Sequence, residues 1–169
     1  LRGAGRRMNE VCRQRIVITV GLPGSGKSTY LASIGAPALS SDAIRGVLAD
    51  DPTDQTIHGR VFATMRYLLR QRIEIGRPLT YIDATNLTIR ERRSWIRMAD
   101  LYGCEIEALF FDVPVEMCLE RNRARSRCVP EEAVLRMAAK LVPPSVEEGF
   151  ARVTVISSDT HASAGRQDR

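Results

Sequence analysis

With 169 residues, 44% of them hydrophobic, the chain is long enough for one domain with a buried core, and no apolar run reaches the ~18 residues that would cross a bilayer. A formal charge of +5 permits a phosphate-bearing or nucleic-acid partner without demanding one. The four cysteines, Cys12, Cys104, Cys118 and Cys128, form no CxxC pair, and with two histidines they argue against zinc and for reduced thiols in a cytoplasmic protein.

Residues 1–15 are rich in Arg and Gly without a period and read as a flexible basic arm lacking the apolar core of a signal peptide. IVITV (16–20) is a continuous β-branched run, which marks a strand buried on both faces. A Gly-rich turn and a short helix from about Lys27 to Ile34 follow. PALS (37–40) suits a short second strand, with a helix over 43–49. Apolar residues three to four apart, from Ile57 to Ile73, predict a long helix over 55–75 ended by Gly76. LTYIDA (79–84) is the next strand. Thr88 and Glu91 form a capping box for a helix over 88–102, closed by Gly103. IEALFFDV (106–113) reads as a strand and 115–127 as a helix. Pro130 fits the first position of a helix to about Leu141, VTVIS (153–157) ends the sheet, and 158–169 form a polar tail. Alternating strands and helices predict an α/β fold of three layers around a mostly parallel sheet. The domain spans 16–157.

GLPGSGKST (21–29) fits G-x-x-x-x-G-K-[ST] between a buried strand and a helix. Gly21, Gly24 and Gly26 allow a backbone whose N–H groups face inward and, with the helix N-terminus, form an anion nest, so Gly24, Ser25 and Gly26 are expected to bind the nucleotide. In such a loop Lys27 reaches the β- and γ-phosphates of a nucleotide, and Ser28 offers a hydroxyl to Mg²⁺, with Thr29 beside it. Of the 25 basic residues only Lys27 and Lys140 are lysines, so the loop carries one of two. The motif specifies a nucleotide and leaves the reaction open.

SSDAIRG (40–46) follows the second strand, at the sheet edge where open α/β folds bind ligands. Asp42 either caps the helix or accepts a proton from an attacking hydroxyl, and Arg45, one turn on, suits an anion beside that hydroxyl. YIDATN (81–86) ends the third strand at the same edge. There Asp83 can hold Mg²⁺ through water, and Thr85 and Asn86 add polar groups. LERNRARSRCVP (119–130) holds four arginines and one acid, so either an anion sits near it or it is a solvated basic corner. Trp95 lies with Ile96 and Ala99, where core packing is expected, and His58 is read as structural or incidental.

GLPGSGKST, SSDAIRG, DDPTDQ, DATNLTIRERR, FDVP and RNRARSRCVPEEAVLRM, taken together, resemble the P-loop 5′-hydroxyl polynucleotide kinases, both the kinase domain of bacterial end-healing enzymes and the phage enzyme. The likeness runs from about 16 to 157. It implies a three-layer P-loop kinase fold with a helical Arg-rich lid over about 119–141, transferring the γ-phosphoryl of ATP, with Mg²⁺, to 5′-OH ends of RNA or DNA. By that likeness Lys27 and Ser28 match the phosphate and metal ligands, and Asp42 the general base. Arg45 matches the contact to the acceptor phosphate, and Gln55 a polar active-site residue. Thr85 and Asn86 match a phosphate-proximal turn, and Arg121 and Arg125 the lid arginines. The spacer to the VP pair is one residue shorter than in the phage enzyme, so the second lid arginine is Arg123, Arg125 or Arg127. Phosphatase and ligase activities, where they exist, would belong to other domains or chains. Two other readings stay open: a small-molecule phosphotransferase acting on a sugar, antibiotic or nucleotide sugar, and an ATP-dependent switch without an acceptor. The low aromatic content, 5%, favours backbone-phosphate contacts over extensive base stacking.

Overall fold

The structure is a computed structural model that describes residues 13–158. Most of the expected basic arm and polar tail, with Cys12, lies outside the described residues. Five strands, β1 (Arg15–Val20), β2 (Ala38–Ser40), β3 (Leu79–Asp83), β4 (Glu105–Asp112) and β5 (Arg152–Ser157), form one parallel sheet in the order β2-β3-β1-β4-β5. The helices are α1 (Lys27–Ser33), α2 (Ser41–Ala49), α3 (His58–Glu74), α4 (Ile89–Tyr102), α5 (Val115–Arg123) and α6 (Glu131–Lys140). A single helical turn, Val146–Glu148, precedes β5.

The sheet's two faces follow from the alternation of its side chains. Ile16, Ile18 and Val20 of β1 and Ile106, Ala108 and Phe110 of β4 point to one face. There they meet Val61, Met65 and Leu69 of α3 and Trp95, Ile96 and Ala99 of α4. Phe111, one residue out of phase with Phe110, meets Tyr30 of α1 edge-on, with ring centroids 5.6 Å apart, so α1 covers the opposite face. A second apolar cluster of Leu22, Leu87, Val113 and Cys118 lies at the strand ends and seats Met137, Ala138 and Leu141 at the end of α6 and just beyond it. The α/β expectation and the α4 capping box are both observed.

Several helix boundaries differ from the sequence expectation: α2 starts at Ser41, two residues before the expected 43, and two others move because side chains compete for backbone groups. α3 starts at His58, three residues late. The Asp51 carboxylate accepts from the Thr53 backbone N–H and hydroxyl, and Asp54 does the same with Thr56, which holds 51–56 in two local turns. α5 ends at Arg123 instead of running to 127. The buried Asn122 amide donates to the Val129 carbonyl (2.6 Å) and accepts from its N–H (3.0 Å), drawing 123–128 into a turn. Pro130, extended at ψ 135°, is the cap of α6 and not its first helical residue.

Arg92 of α4 is the largest charged group in the interior, with no exposed surface. Its Nε and Nη2 grip both oxygens of Glu148 at 2.8 and 2.6 Å. Its Nη1 faces the carbonyls of Asn86, Leu87 and Val142 at 3.0–3.1 Å. Removing one partner from such a pair leaves the other charge buried without compensation, at a cost of about 3–5 kcal/mol. Arg92→Met is therefore expected to lower unfolding stability by about that amount. Denaturant unfolding followed by circular dichroism measures it, and a loss under about 1 kcal/mol would show that the pair is not a fastening.

Candidate active site

The loops after β1, β2 and β3 and the turn between α5 and α6 enclose one cleft of about 860 Å³. It sits beyond the C-terminal strand ends, where a parallel sheet leaves its loops free to gather functional groups. The phosphate loop forms the floor. Gly24 has φ +82°, and a Cβ on it would fall 2.3 Å from the Cys118 carbonyl oxygen, so the loop lies directly on α5 with no room for a side chain. Gly26 enters α1 in the left-handed conformation at φ 94°. Gly24, Ser25 and Gly26 contribute backbone. The buried Ser25 turns its N–H back to the Leu22 carbonyl (3.1 Å), and Thr29 is exposed on α1 away from the cleft lining.

Lys27 is buried, and its ammonium donates to the carbonyls of Gly21 (3.0 Å) and Leu22 (2.7 Å). Burial lowers its pKa to about 8, against the upward pull of Asp83 and with a further lowering from Arg125. The lysine is thus a desolvated charge folded onto its own loop. The Ser28 hydroxyl donates to Asp83 Oδ2 at 2.6 Å. A hydroxyl and a buried carboxylate in contact make a hard oxygen pair that suits Mg²⁺. Thr85 reaches the same floor: its carbonyl accepts from Gly21 N–H at 3.0 Å, and the residue lines the cleft.

Asn86 does not reach the cleft, contrary to its expected place beside the phosphates. It is buried at φ 47°, donates to the Thr19 carbonyl (2.8 Å) and accepts from the Trp95 indole (2.9 Å). Both ends of its amide are engaged inside the protein, so it fixes the turn after β3 and leaves the cleft wall to Thr85. Trp95 is fully buried, as expected.

On the wall formed by α2, the helix is capped by Ser40, whose hydroxyl accepts from Ala43 N–H, so Asp42 is not the cap. The Asp42 side chain is 77% exposed, lines the cleft, and accepts from Arg45 Nη1 at 2.9 Å. Arg45 is only 4% exposed, and its Nε is the single buried side-chain nitrogen or oxygen without a partner among the described residues. Gln55 lines the same wall from the loop before α3.

The lid arginines separate. Because α5 stops at Arg123, Arg121 and Arg125 do not share a helical face. Arg125 and Arg127 line the cleft; the charge of Arg125 is felt by Lys27 and that of Arg127 by Asp51 across the opening. Arg121 stays on α5, near enough for its charge to act on Cys118 beneath the loop, and is not among the residues lining the cleft. Arg123 is ion-paired with Glu131, away from the cleft. The sequence reading missed His58 and Phe62, which form part of the cleft wall, and the Asn122 clip that shapes the lid. The position of His58 one turn beyond Gln55 was the available signal.

A family model described as an AAA domain matches residues 16–144. The bifunctional polynucleotide phosphatase/kinase of Schizosaccharomyces pombe is 27% identical over 149 residues, covering 83% of this chain and 33% of that protein. A chain in the structure of the Pnkp1/Rnl/Hen1 RNA repair complex superposes with a TM-score of 0.66 at 23% identity, covering 82% of this chain and 47% of the other. A gluconokinase from Sinorhizobium meliloti 1021 superposes with a TM-score of 0.56 at 20% identity, over 86% of this chain and 82% of that one. The chain therefore spans about a third of its curated relative, and the structural likenesses at these identities speak to the fold. With its phosphate loop, parallel sheet and matched family model, the chain belongs to the AAA domain family and has the P-loop kinase fold.

Proposed function

We propose that this domain transfers the γ-phosphoryl of ATP to the 5′-hydroxyl of a polynucleotide. The observation that carries the reading is Arg45. A guanidinium this buried, on a residue that lines the cleft, with its Nε unpartnered and its one ion pair to an exposed aspartate, is prepared for an anion on the acceptor. A 5′-terminal nucleotide carries a reactive hydroxyl and a phosphodiester on one sugar, and Asp42 and Arg45, in contact on one wall of the cleft, can serve both. The name of the fission-yeast relative supports the same acceptor.

In this mechanism Lys27 leaves its loop carbonyls for the transferring phosphate, and Arg125 covers it from the lid, with Arg121 flanking from α5. Ser28 and Asp83 would hold Mg²⁺, which supplies charge neutralisation on the phosphate oxygens when bound. Thr85 and Gln55 border the acceptor. The acceptor phosphate draws on Arg45, and the Asp42 carboxylate takes the proton of the 5′-hydroxyl. The hydroxyl oxygen bonds to the γ-phosphorus as the bridging P–O bond to ADP breaks, giving a 5′-phosphate end and ADP. Phosphatase and ligase steps of end healing would fall to other domains or chains, and the enzyme would work without a membrane.

Three outcomes test this. Transfer of labelled phosphate from ATP to 5′-OH RNA and DNA oligonucleotides is expected, with little to sugars or other small hydroxyl compounds. The reverse preference would establish a small-molecule phosphotransferase, and hydrolysis without any acceptor a switch. Asp42→Ala is expected to cut transfer by about 10²–10⁴-fold with ATP still bound; near-normal turnover would remove Asp42 as the base. Arg45→Ala is expected to raise the acceptor KM, and a rise confined to ATP would move Arg45 to the donor side.

Lys27 adds a pH signature. Its free-site pKa is about 8, set mainly by desolvation, and nucleotide phosphates favour the charged form and raise it. Binding then takes up a proton near pH 8. Affinity is full below the free-site value and falls up to about tenfold per unit as pH rises from there toward the bound value. Calorimetry in buffers of different ionisation enthalpy reads the uptake. No uptake at pH 8 in the wild type, or the same uptake in Lys27→Met, would contradict the assignment.

A further inference from the structure

Three aromatic rings lead from the core to the cleft. Trp95 is fully buried on α4. Phe62 of α3 packs on it with centroids 6.1 Å apart and planes 43° apart. His58, one turn earlier, packs on Phe62 with centroids 4.5 Å apart and planes 36° apart. Both spacings are those of interacting aromatic pairs. The series is anchored at the inner end, where the Trp95 indole donates to Asn86 at 2.9 Å. It is open at the outer end: His58 is exposed and lines the cleft with Phe62, Gln55, Asp42 and Arg45. The His58 backbone N–H donates to the Gln55 carbonyl at 3.3 Å, so the ring stands at the corner where Gln55 enters the site.

We infer that His58, backed by Phe62, is the stacking platform for the nucleobase of the acceptor's 5′-terminal nucleotide. The inference rests on the polynucleotide reading above and adds a specificity determinant to it. The physical case has three parts. A ring whose inner face already packs on another ring has its orientation set before a ligand arrives, so little ordering entropy is lost on stacking. An imidazole continuing an aromatic series into a cleft offers a planar, sequence-tolerant surface, which any of the four bases can use. Finally, the wall carrying this ring also carries Arg45 and Asp42, so one nucleotide can place its base on His58, its phosphate on Arg45 and its hydroxyl on Asp42.

The test compares two 5′-OH oligonucleotides that differ only in whether the terminal residue carries a base or is abasic. The readout is the ratio of their KM values, abasic over normal. For the wild-type chain the ratio is expected to be about tenfold, within the range of single base–aromatic stacks. In His58→Ala the ratio is expected to collapse toward unity, and in His58→Phe, which keeps a ring and removes the titratable nitrogens, to be retained. A wild-type ratio already near unity, an unchanged ratio in His58→Ala, or a collapse in His58→Phe as complete as in His58→Ala would each overturn the platform. Failure of the wild-type chain to phosphorylate either oligonucleotide would overturn the polynucleotide reading itself, and the platform with it. His58 is exposed at the first turn of α3, so circular dichroism of the variants is expected to match that of the wild type.

Discussion

A guanidinium with no access to water must be surrounded by acceptors, and Arg92 satisfies that demand by joining the turn just before α4 to Val142 and Glu148, 50 and 56 residues further on. Its carboxylate partner, Glu148, also accepts from Ser145 N–H at 3.2 Å, so the turn before β5 is drawn onto α4. Its carbonyl partners are the turn after β3 and Val142, the second residue beyond α6. Val142 also donates to Leu87 at 2.9 Å. The base of the lid is thereby tied to the strand end that carries Asp83 and Thr85. The residue that positions the two walls of the cleft relative to each other touches neither wall's functional groups.

With those walls set, the cleft gathers unbalanced positive charge. Lys27, Arg45 and Arg125 border it, the first two buried. Asp83 also holds Ser28, and Asp42 lies at the exposed rim. Burial makes such an arrangement costly, as the lowered pKa of Lys27 records. The protein tolerates it by giving Lys27 two backbone carbonyls and leaving Arg45 one nitrogen short. On the proposed function both are partial solutions that a phosphate would complete, so an anionic ligand would be favoured by relief of a cost already present in the free site as well as by direct attraction. The glycine at position 24 serves the same end: the loop can rest on the Cys118 carbonyl only because nothing projects from it.

How much of this was legible in the sequence depended on whether the signal was local. The phosphate loop, the strand runs and the Thr88–Glu91 box are contiguous patterns, and they lie where the sequence placed them. Asp42 and Arg45 were legible because a strand end and a helix start fix them on the same edge. The failures share a different physics. Asn86 looked like a cleft residue because it follows Asp83. A positive φ and a hydrogen bond to Trp95, nine residues on, turn it inward instead, and neither is written in its neighbours. The Arg alternation at 121–127 suggested a continuous helix with two faces. The buried Asn122 breaks it through a contact seven residues away. His58 was passed over because its importance comes from Phe62 and Trp95, on two different helices, and from a cleft that exists only after folding.

The Asn122 contact also changes what kind of lid this is. An arginine helix hinged at one end would swing as a rod, carrying Arg121 and Arg125 together. Here both ends of the segment are fastened: Asn122 is clipped to Val129, and Val142 is held by Leu87 and Arg92. Between the Asn122 and Val129 anchors, residues 124–128 are exposed. Pro130 begins α6 without a side-chain cap, so the turn leads directly into a helix seated on the apolar cluster of Leu22, Leu87 and Cys118 through Met137 and Ala138. Rotating the whole lid would expose that cluster, at roughly 25 cal/mol for each Å² of apolar surface. Rearranging the short turn exposes almost none. The cheaper motion is therefore one in which Arg125 and Arg127 move over the cleft while the helices on either side stay in place. That makes the second lid arginine a matter of turn geometry, in which residues two apart can face the same ligand, and removes the helical four-residue spacing as the criterion for choosing it.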